Sequence, residues 1–341
     1  MIKMKREGVI LRPTNLDFEN LSVFNPGIYQ EGGKVHVLYR ALNDKFISCL
    51  GYARLDGPLK VAERWDKPLL APRYPYEKKG VEDPRISKVG KNFYVVYVAH
   101  DGLNAVLAYA FGPDLFRLKR GGIISPRLSY KSASRLFLSS HLKDSYLSFA
   151  SFYEKYAGEK VLVWEKDGVL FPSKIKRKFA LLHRILPDIQ IASFSRFSEL
   201  QSGKYWREYI KNLSRHVVME GEHGFENRHI GAGAPPIKTR KGWLIIYHAV
   251  QPYNRGRIYT AGAALLDLKN PERLLARLPY PLLEPEMQSE RAGHVHNVVF
   301  PTGTSIFKGR LYIYYGMADH FIGAASCPLA SLLKELDKYR K

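Results

Sequence analysis

The chain has 341 residues, 45% of them hydrophobic and 25% charged, with 53 Lys and Arg against 32 Asp and Glu for a formal net charge of +21. That length supports a large packed core, and no apolar run approaches the ~18 residues that a membrane span needs. The basic residues are spread along the chain rather than gathered in one arm, which disfavours nucleic acid as the partner and suits a cationic surface that draws in small anions such as phosphate.

The N-terminus, Met1 to Glu7, is basic but lacks the apolar core of a signal peptide. The two cysteines, Cys49 and Cys327, lie far apart in apolar segments, which fits a reduced, cytoplasmic protein without a disulfide framework. Further on the chain repeats itself. Five times a turn leads into an apolar, aromatic-rich strand: Lys34 to Arg40, Asn92 to Val98, Lys178 to Arg184, Gly242 to His248 and Arg310 to Gly316. Each is followed by a strand rich in small residues, as in Leu50-Gly51-Tyr52-Ala53 and Ala261-Gly262-Ala263-Ala264. Small side chains suit the narrow space near a propeller axis. The spacing therefore predicts an all-β fold, a five-bladed β-propeller in preference to a β-sandwich, forming a single domain over residues 1–341. Residues 126–165 read as an extra strand pair completing a blade, residues 199–219 as a short amphipathic helix or an excursion, and Leu329 to Tyr339 as a C-terminal helix on the outer edge.

Before the second of these strands stands Glu82-Asp83-Pro84-Arg85. Pro84 fixes its own φ and excludes the helical region for Asp83, which predicts an extended, immobile loop position for that acid. An acidic group so held is placed for chemistry, and Asp83 is the candidate proton donor of a sugar-processing site. On the propeller reading the polar residues Asn25, Arg40, Asp83, Arg85, His183, Arg184, His229, Tyr247, His248 and Asp319 converge on one face. Glu222 and Glu226 are candidate bases. His294-Val295-His296 has metal-like spacing in a strand, but no carboxylate or Cys accompanies it, so no metal is expected. The run Gly231 to Pro236 lacks the Lys-Ser/Thr of a phosphate-cradling nucleotide loop.

These residues together carry a family resemblance. Asn25-Pro26-Gly27, Tyr39-Arg40-Ala41, Glu82-Asp83-Pro84-Arg85, Leu170-Phe171-Pro172, Leu182-His183-Arg184 and Ile230-Gly231-Ala232-Gly233 occur in that order, followed by Gly242-Trp243-Leu244, Tyr247-His248, Asn297-Val298-Val299-Phe300-Pro301 and Tyr314-Tyr315-Gly316 with Asp319. The set resembles glycoside hydrolase family 130, β-mannoside phosphorylases and, less often, β-mannosidases, from about residue 8 to residue 327. The resemblance implies a five-bladed β-propeller and makes Asp83 the catalytic acid. It implies that Asn25, Arg40, Glu82, His183, Tyr259 and Asp319 bind the sugar, and that Lys166, Arg184, Arg228, His229 and His248 bind phosphate. His229 stands where the family usually has Arg or Lys, with Arg228 beside it as the compensating cation.

The implied reaction is inverting phosphorolysis of a β-1,2- or β-1,4-linked manno-oligosaccharide or mannosyl-glucose. Inorganic phosphate is the co-substrate, α-mannose 1-phosphate the product, and no other cofactor is needed. Phosphate arrives nucleophilic, so one acid and a cationic pocket suffice. An inverting hydrolase would instead need a second carboxylate about 6.5–9.5 Å from the first. Hydrolysis is thus the alternative, a non-catalytic glycan- or nucleic-acid-binding propeller the outside one, and homo-oligomerisation is left open.

Overall fold

The structure, a computed structural model, describes residues 1–254 and 256–341. It is mostly β, with strands gathered into antiparallel units of about four. In chain order, β1 (Lys5–Leu11) precedes a first meander of β2 (Ser22–Glu31), β3 (Lys34–Leu42), β4 (Ser48–Asp56) and β5 (Lys60–Arg64). A second meander comprises β6 (Gly80–Val89), β7 (Asn92–His100), β8 (Ala105–Gly112) and β9 (Lys119–Ile123). These two share one eight-stranded sheet only through a single parallel pairing of Ser48 with Gly80.

Helices α1 (Tyr130–Phe137) and α2 (Ser145–Ala157) follow, then β10 (Lys166–Leu170), β11 (Phe179–Arg184) and β12 (Ile189–Phe194). The third sheet is completed, after α3 (Phe197–Leu200) and α4 (Gly203–Lys211), by β13 (Val217–Met219). The fourth holds β14 (His229–Ala232), β15 (Ile237–Thr239), β16 (Gly242–Tyr253), β17 (Gly256–Leu266) and β18 (Leu274–Arg277). After α5 (Gln288–Arg291), strands β19 (Val299–Phe307), β20 (Arg310–Met317) and β21 (Phe321–Pro328) form a sheet whose fourth strand is β1; α6 (Leu329–Asp337) ends the chain. The first strands touch in turn, β2 with β6, β6 with β10, β10 with β14, and β19 with β2, while β16 and β17 touch β19.

The five aromatic-rich segments are the second strands, and the small-residue segments the third. The small residues, expected in strands nearest a propeller axis, stand in the third strand of each unit, and at two positions a repeated clamp is the reason for them. Tyr39, Tyr97, Tyr247 and Tyr315, at matching positions of β3, β7, β16 and β20, donate to Glu19, Glu77, Glu226 and Glu290, all but fully buried. Each carboxylate also meets an Arg from the edge strand of the same sheet: Arg64 at 2.9 Å, Arg120 at 3.0 Å, Arg277 at 2.9 Å and Arg6 at 3.2 Å. Across the ladder Tyr39 faces Gly51 and Tyr247 faces Gly262, where any Cβ would collide with the phenol ring. In the third sheet the matching residue is His183, whose Nδ1 lies 2.9 Å from buried Glu165 and whose Nε2 lies 2.7 Å from Tyr209 of α4.

Residues 130–157 correct the expected strand pair to two helices. Tyr130, Ala133 and Phe137 of α1 and Tyr146 and Ala150 of α2 recur at three- and four-residue spacing and are the buried face. Ser129 caps α1 by accepting from the Ser132 N–H. The amphipathic helix is α4, burying Trp206, Tyr209 and Ile210, and α6 buries Leu332 and Leu336 against β17, β18 and β21. His294 and His296 lie outside any strand, and no group of three or more potential metal ligands occurs among the described residues.

The clamp predicts that Glu226→Gln, which takes away the buried counter-charge of Arg277 and leaves the guanidinium only half-exposed Glu222, costs about 3 kcal/mol. Thermal denaturation should show a lower Tm, and the separate costs of Glu226→Gln and Arg277→Gln should fail to add in the double variant.

Candidate active site

Three first strands share one local device. In β2, β6 and β10 the ladder to the second strand slips by a bulge, and Asn25, Asp83 and Asp167 sit in the bulges with φ of 48°, 49° and 60°. Pro84 does bar the right-handed helical region to Asp83, but the residue takes the left-handed region inside a strand rather than an extended loop. Asp and Asn tolerate that region better than other side chains. Each bulge turns a polar side chain into the same cavity of about 200 Å³. Arg85, buried beneath, holds the turn in place by donating to the carbonyls of Asp83, at 2.9 Å, and Gly233.

On the acid side of the cavity Asp83 Oδ1 accepts from Asn25 Nδ2 at 2.9 Å and lies 3.7 Å from the Arg40 guanidinium. Arg40 is itself held by Glu82 Oε1 at 2.8 Å and by Ser48 Oγ at 2.9 Å. Burial works against ionisation of Asp83, but Arg40, Lys166, Arg85 and the Asn25 hydrogen bond outweigh it, and the carboxyl sits below the usual range. Asp319, from the turn between β20 and β21, behaves oppositely. Burial pushes it up to about 6 against the pull of Arg40, and the Asp83 charge adds to the rise.

The other side is cationic, lined by Lys166, Arg184, Arg228 and Arg257. Lys166 and Arg184 face each other across β10 and β11. Arg184 Nε approaches Asp167 Oδ2 at 3.1 Å without hydrogen-bond angles, so that contact is coulombic. Arg184 also donates to His248 Nε2 at 3.3 Å, which leaves the His248 proton on Nδ1, a buried atom without a partner. Burial pulls His248 down to about 3. His229 likewise falls well below its usual value, through burial and then the charge of Arg184. Arg228 donates to its Nδ1 at 2.6 Å, so neutral His229 keeps its proton on Nε2 as a donor. The guanidinium and ammonium groups supply the positive charge of this pocket, and the imidazoles supply none.

Of the residues expected at the site, Asn25, Arg40, Asp83, Lys166, Arg184, Arg228, His229, Tyr259 and Asp319 line the cavity together. Three do not. Glu82 stands behind Arg40, His183 occupies the clamp position on the opposite face of β11 from Arg184, and His248 lies beneath Arg184 against Phe300. Tyr247 belongs to a clamp. Glu226 does too, and Glu222 pairs with Arg277 and Lys341, so neither candidate base lines the cavity. Asp167, Arg257, Tyr153 and Trp164 escaped the sequence reading. Asp167 alone had a signal, an acidic residue before Gly168 at the place where the earlier units carry Asn25-Pro26 and Asp83-Pro84.

Comparison with known proteins adds three findings. A family model described as beta-1,4-mannooligosaccharide phosphorylase matches residues 5–338. Two curated proteins of Thermoanaerobacter sp. (strain X514) are similar: a beta-1,2-mannobiose phosphorylase, 33% identical over 91% of each chain, and a 1,2-beta-oligomannan phosphorylase, 32% identical over 95% of this chain and 97% of that one. The solved structure of the Listeria innocua beta-1,2-mannobiose phosphorylase with beta-1,2-mannobiose covers 99% of this chain and 100% of its own at a TM-score of 0.72; at 23% identity that likeness concerns the fold.

The raised Asp319 predicts a pH-dependent stability cost. A carboxyl whose folded pKa exceeds its unfolded value stabilises the fold when protonated, and that stability is lost as pH rises through about 6. Asp319→Asn should therefore melt higher than the parent at pH 8 and at the same temperature at pH 4, by calorimetry.

Proposed function

The chain belongs to glycoside hydrolase family 130, and on that footing we propose that it cleaves a β-mannoside by inverting phosphorolysis, releasing α-mannose 1-phosphate. The observation that carries this reading is the division of one cavity between an acid side, Asp83 with Asn25, Arg40 and Asp319, and a cationic side formed by Lys166, Arg184, Arg228 and Arg257.

In this mechanism Asn25, Arg40 and Asp319 hold the mannosyl unit and Tyr259 lies against it. Phosphate sits among Lys166, Arg184, Arg228 and Arg257 and accepts from His229 Nε2, with His248 supporting Arg184 from below. Lys166 is common to both sides: it helps to hold Asp83 ionised and is offset when the phosphate dianion arrives, so the proton affinity of Asp83 rises. The general acid is thus armed by its co-substrate. Asp83 then gives its proton to the glycosidic oxygen, the bond from that oxygen to C1 breaks, and a phosphate oxygen bonds C1 from the opposite face. Phosphate is the co-substrate and the chemistry calls for no further cofactor.

Water as the nucleophile would require a carboxylate base on the phosphate side. Asp167 is the one further carboxylate lining the cavity among the described residues, and it is engaged with Arg184 and Arg85 as their counter-ion. Linkage is read as β-1,2 from the relatives named for β-1,2-mannobiose and 1,2-β-oligomannan, which span nearly the whole chain; β-1,4 is the alternative, carried by the description of the family model over residues 5–338 and by a Ruminococcus albus beta-1,4-mannooligosaccharide phosphorylase that matches 52% of the chain. The five antiparallel units are read as blades of a five-bladed β-propeller forming one catalytic domain; the serial contacts of the first strands support this, as does the convergence of side chains from every sheet on one cavity. Free, buried Cys49 and Cys327 suit a cytoplasmic setting.

The decisive experiment is product analysis on β-1,2- and β-1,4-mannobiose with and without inorganic phosphate. Mannose 1-phosphate formed only with phosphate is the expected result, and free mannose released equally in both conditions would overturn it. Asp83→Asn should lower kcat by at least ~10²-fold, the scale of a general acid, without lowering Tm.

A further inference from the structure

The cavity of about 200 Å³ is smaller than the ~300–1,000 Å³ that encloses an ordinary small-molecule ligand. Any substrate longer than the reacting unit and its neighbour must leave it across a wall, and the wall built by α2 is aromatic. Trp164 and Tyr153 line the cavity with ring centroids 4.8 Å apart. Tyr153 is fixed from behind by a parallel stack on Tyr130 at 5.3 Å, and it meets Phe152 edge-on at 5.3 Å. Phe152 in turn stacks with Tyr156 at 5.9 Å and an interplanar angle of 5°.

The series runs outward. Tyr153 is half-buried, Phe152 is 51% exposed and Tyr156 76% exposed. Single exposed apolar residues need no explanation, but a contiguous row of rings that begins inside a cavity does. A pyranose presents a face of C–H bonds that packs against an aromatic face, while its hydroxyls stay in water. Exposed rings at intervals along one helix therefore suit a ligand that is amphipathic along its length, which a chain of sugar units is.

We propose that Phe152 and Tyr156 of α2 form a platform, continuous with Tyr153 and Trp164, that binds the mannosyl units of a β-manno-oligosaccharide lying beyond the cavity. This rests on the sugar reading of the cavity and adds to it a preference for oligosaccharides over disaccharides. The rings carry no charge and touch neither the acid nor the cations, so they act on chain length alone.

The test is binding, read by calorimetry without phosphate so that it does not depend on turnover. The probes are β-1,2-linked mannobiose and mannotetraose, and the readout is the ratio of their Kd values. The parent should bind the tetraose more tightly, and Phe152→Ala with Tyr156→Ala should shrink that ratio by about tenfold, the scale of one or two aromatic contacts. Phe152→Trp should retain it. Equal affinity for both probes in the parent, or an unchanged ratio in the double variant, would overturn the proposal. So would a double variant that changes from oligomer to monomer in sedimentation with the ratio intact, since the rings would then cover a second copy of the chain. Failure of phosphorolysis with the ratio behaving as stated would sink the function proposed above and leave the platform standing.

Discussion

A buried carboxylate that cannot be left alone organises this molecule. Glu19, Glu77, Glu226 and Glu290 are sealed from water, and a sealed charge is tolerable only with an opposite charge and satisfied lone pairs. Each finds a phenol from the second strand and a guanidinium from the edge strand of its sheet. Glu77, Glu226 and Glu290 also each accept two backbone N–H groups from the turn just before them. Turn, second strand and edge strand are therefore bound through one group. Because neighbouring strand residues face opposite sides, fixing Tyr39 or His183 on the clamp side fixes Arg40 or Arg184 on the other, and both of those line the cavity.

The same alternation explains what could be read in the sequence. The second and third strands announced themselves by composition, since a phenol at a fixed place requires Gly51 or Gly262 opposite. The first strands did not. Asn25-Pro26 and Asp83-Pro84 carry the marks of loops, and the left-handed bulges that make them site-bearing strands depend on Arg85 and on neighbouring sheets distant in sequence. His183 looked like a site residue because it is a polar group ending a strand. Its equivalence to Tyr39 and Tyr247 was present in the repeat, but only the buried partner Glu165 reveals what that position does. The helices of residues 130–157 were hidden by their many aromatics, which favour strands on average and here serve helical faces. Arg257 reaches the cavity from a long hairpin and had no local signal.

The cavity sets two carboxyls against each other. Asp83 has Asn25 and Arg40 at hand and ionises readily, while Asp319 has no comparable partner and resists ionisation. A protein selected for stability alone would keep neither arrangement, since one strains the backbone and the other destabilises the fold once pH rises past its raised pKa and the carboxyl ionises. Both are affordable because the clamps fix the surrounding strands independently of the cavity. The neutral imidazoles extend that logic: burial strips His229 and His248 of charge, so the pocket donates hydrogen bonds without adding to cation–cation repulsion.

The last sheet joins strands far apart in sequence. β1 pairs with β21, and Arg6 closes the clamp on Glu290 nearly three hundred residues later. During translation that strand emerges with no partner and an unpaired edge, a state prone to mispairing. The four other antiparallel units each draw all their strands from one contiguous stretch. Loop-closure entropy is therefore largest at this seam, which makes the β1–β21 pairing the contact most dependent on the rest of the fold being in place.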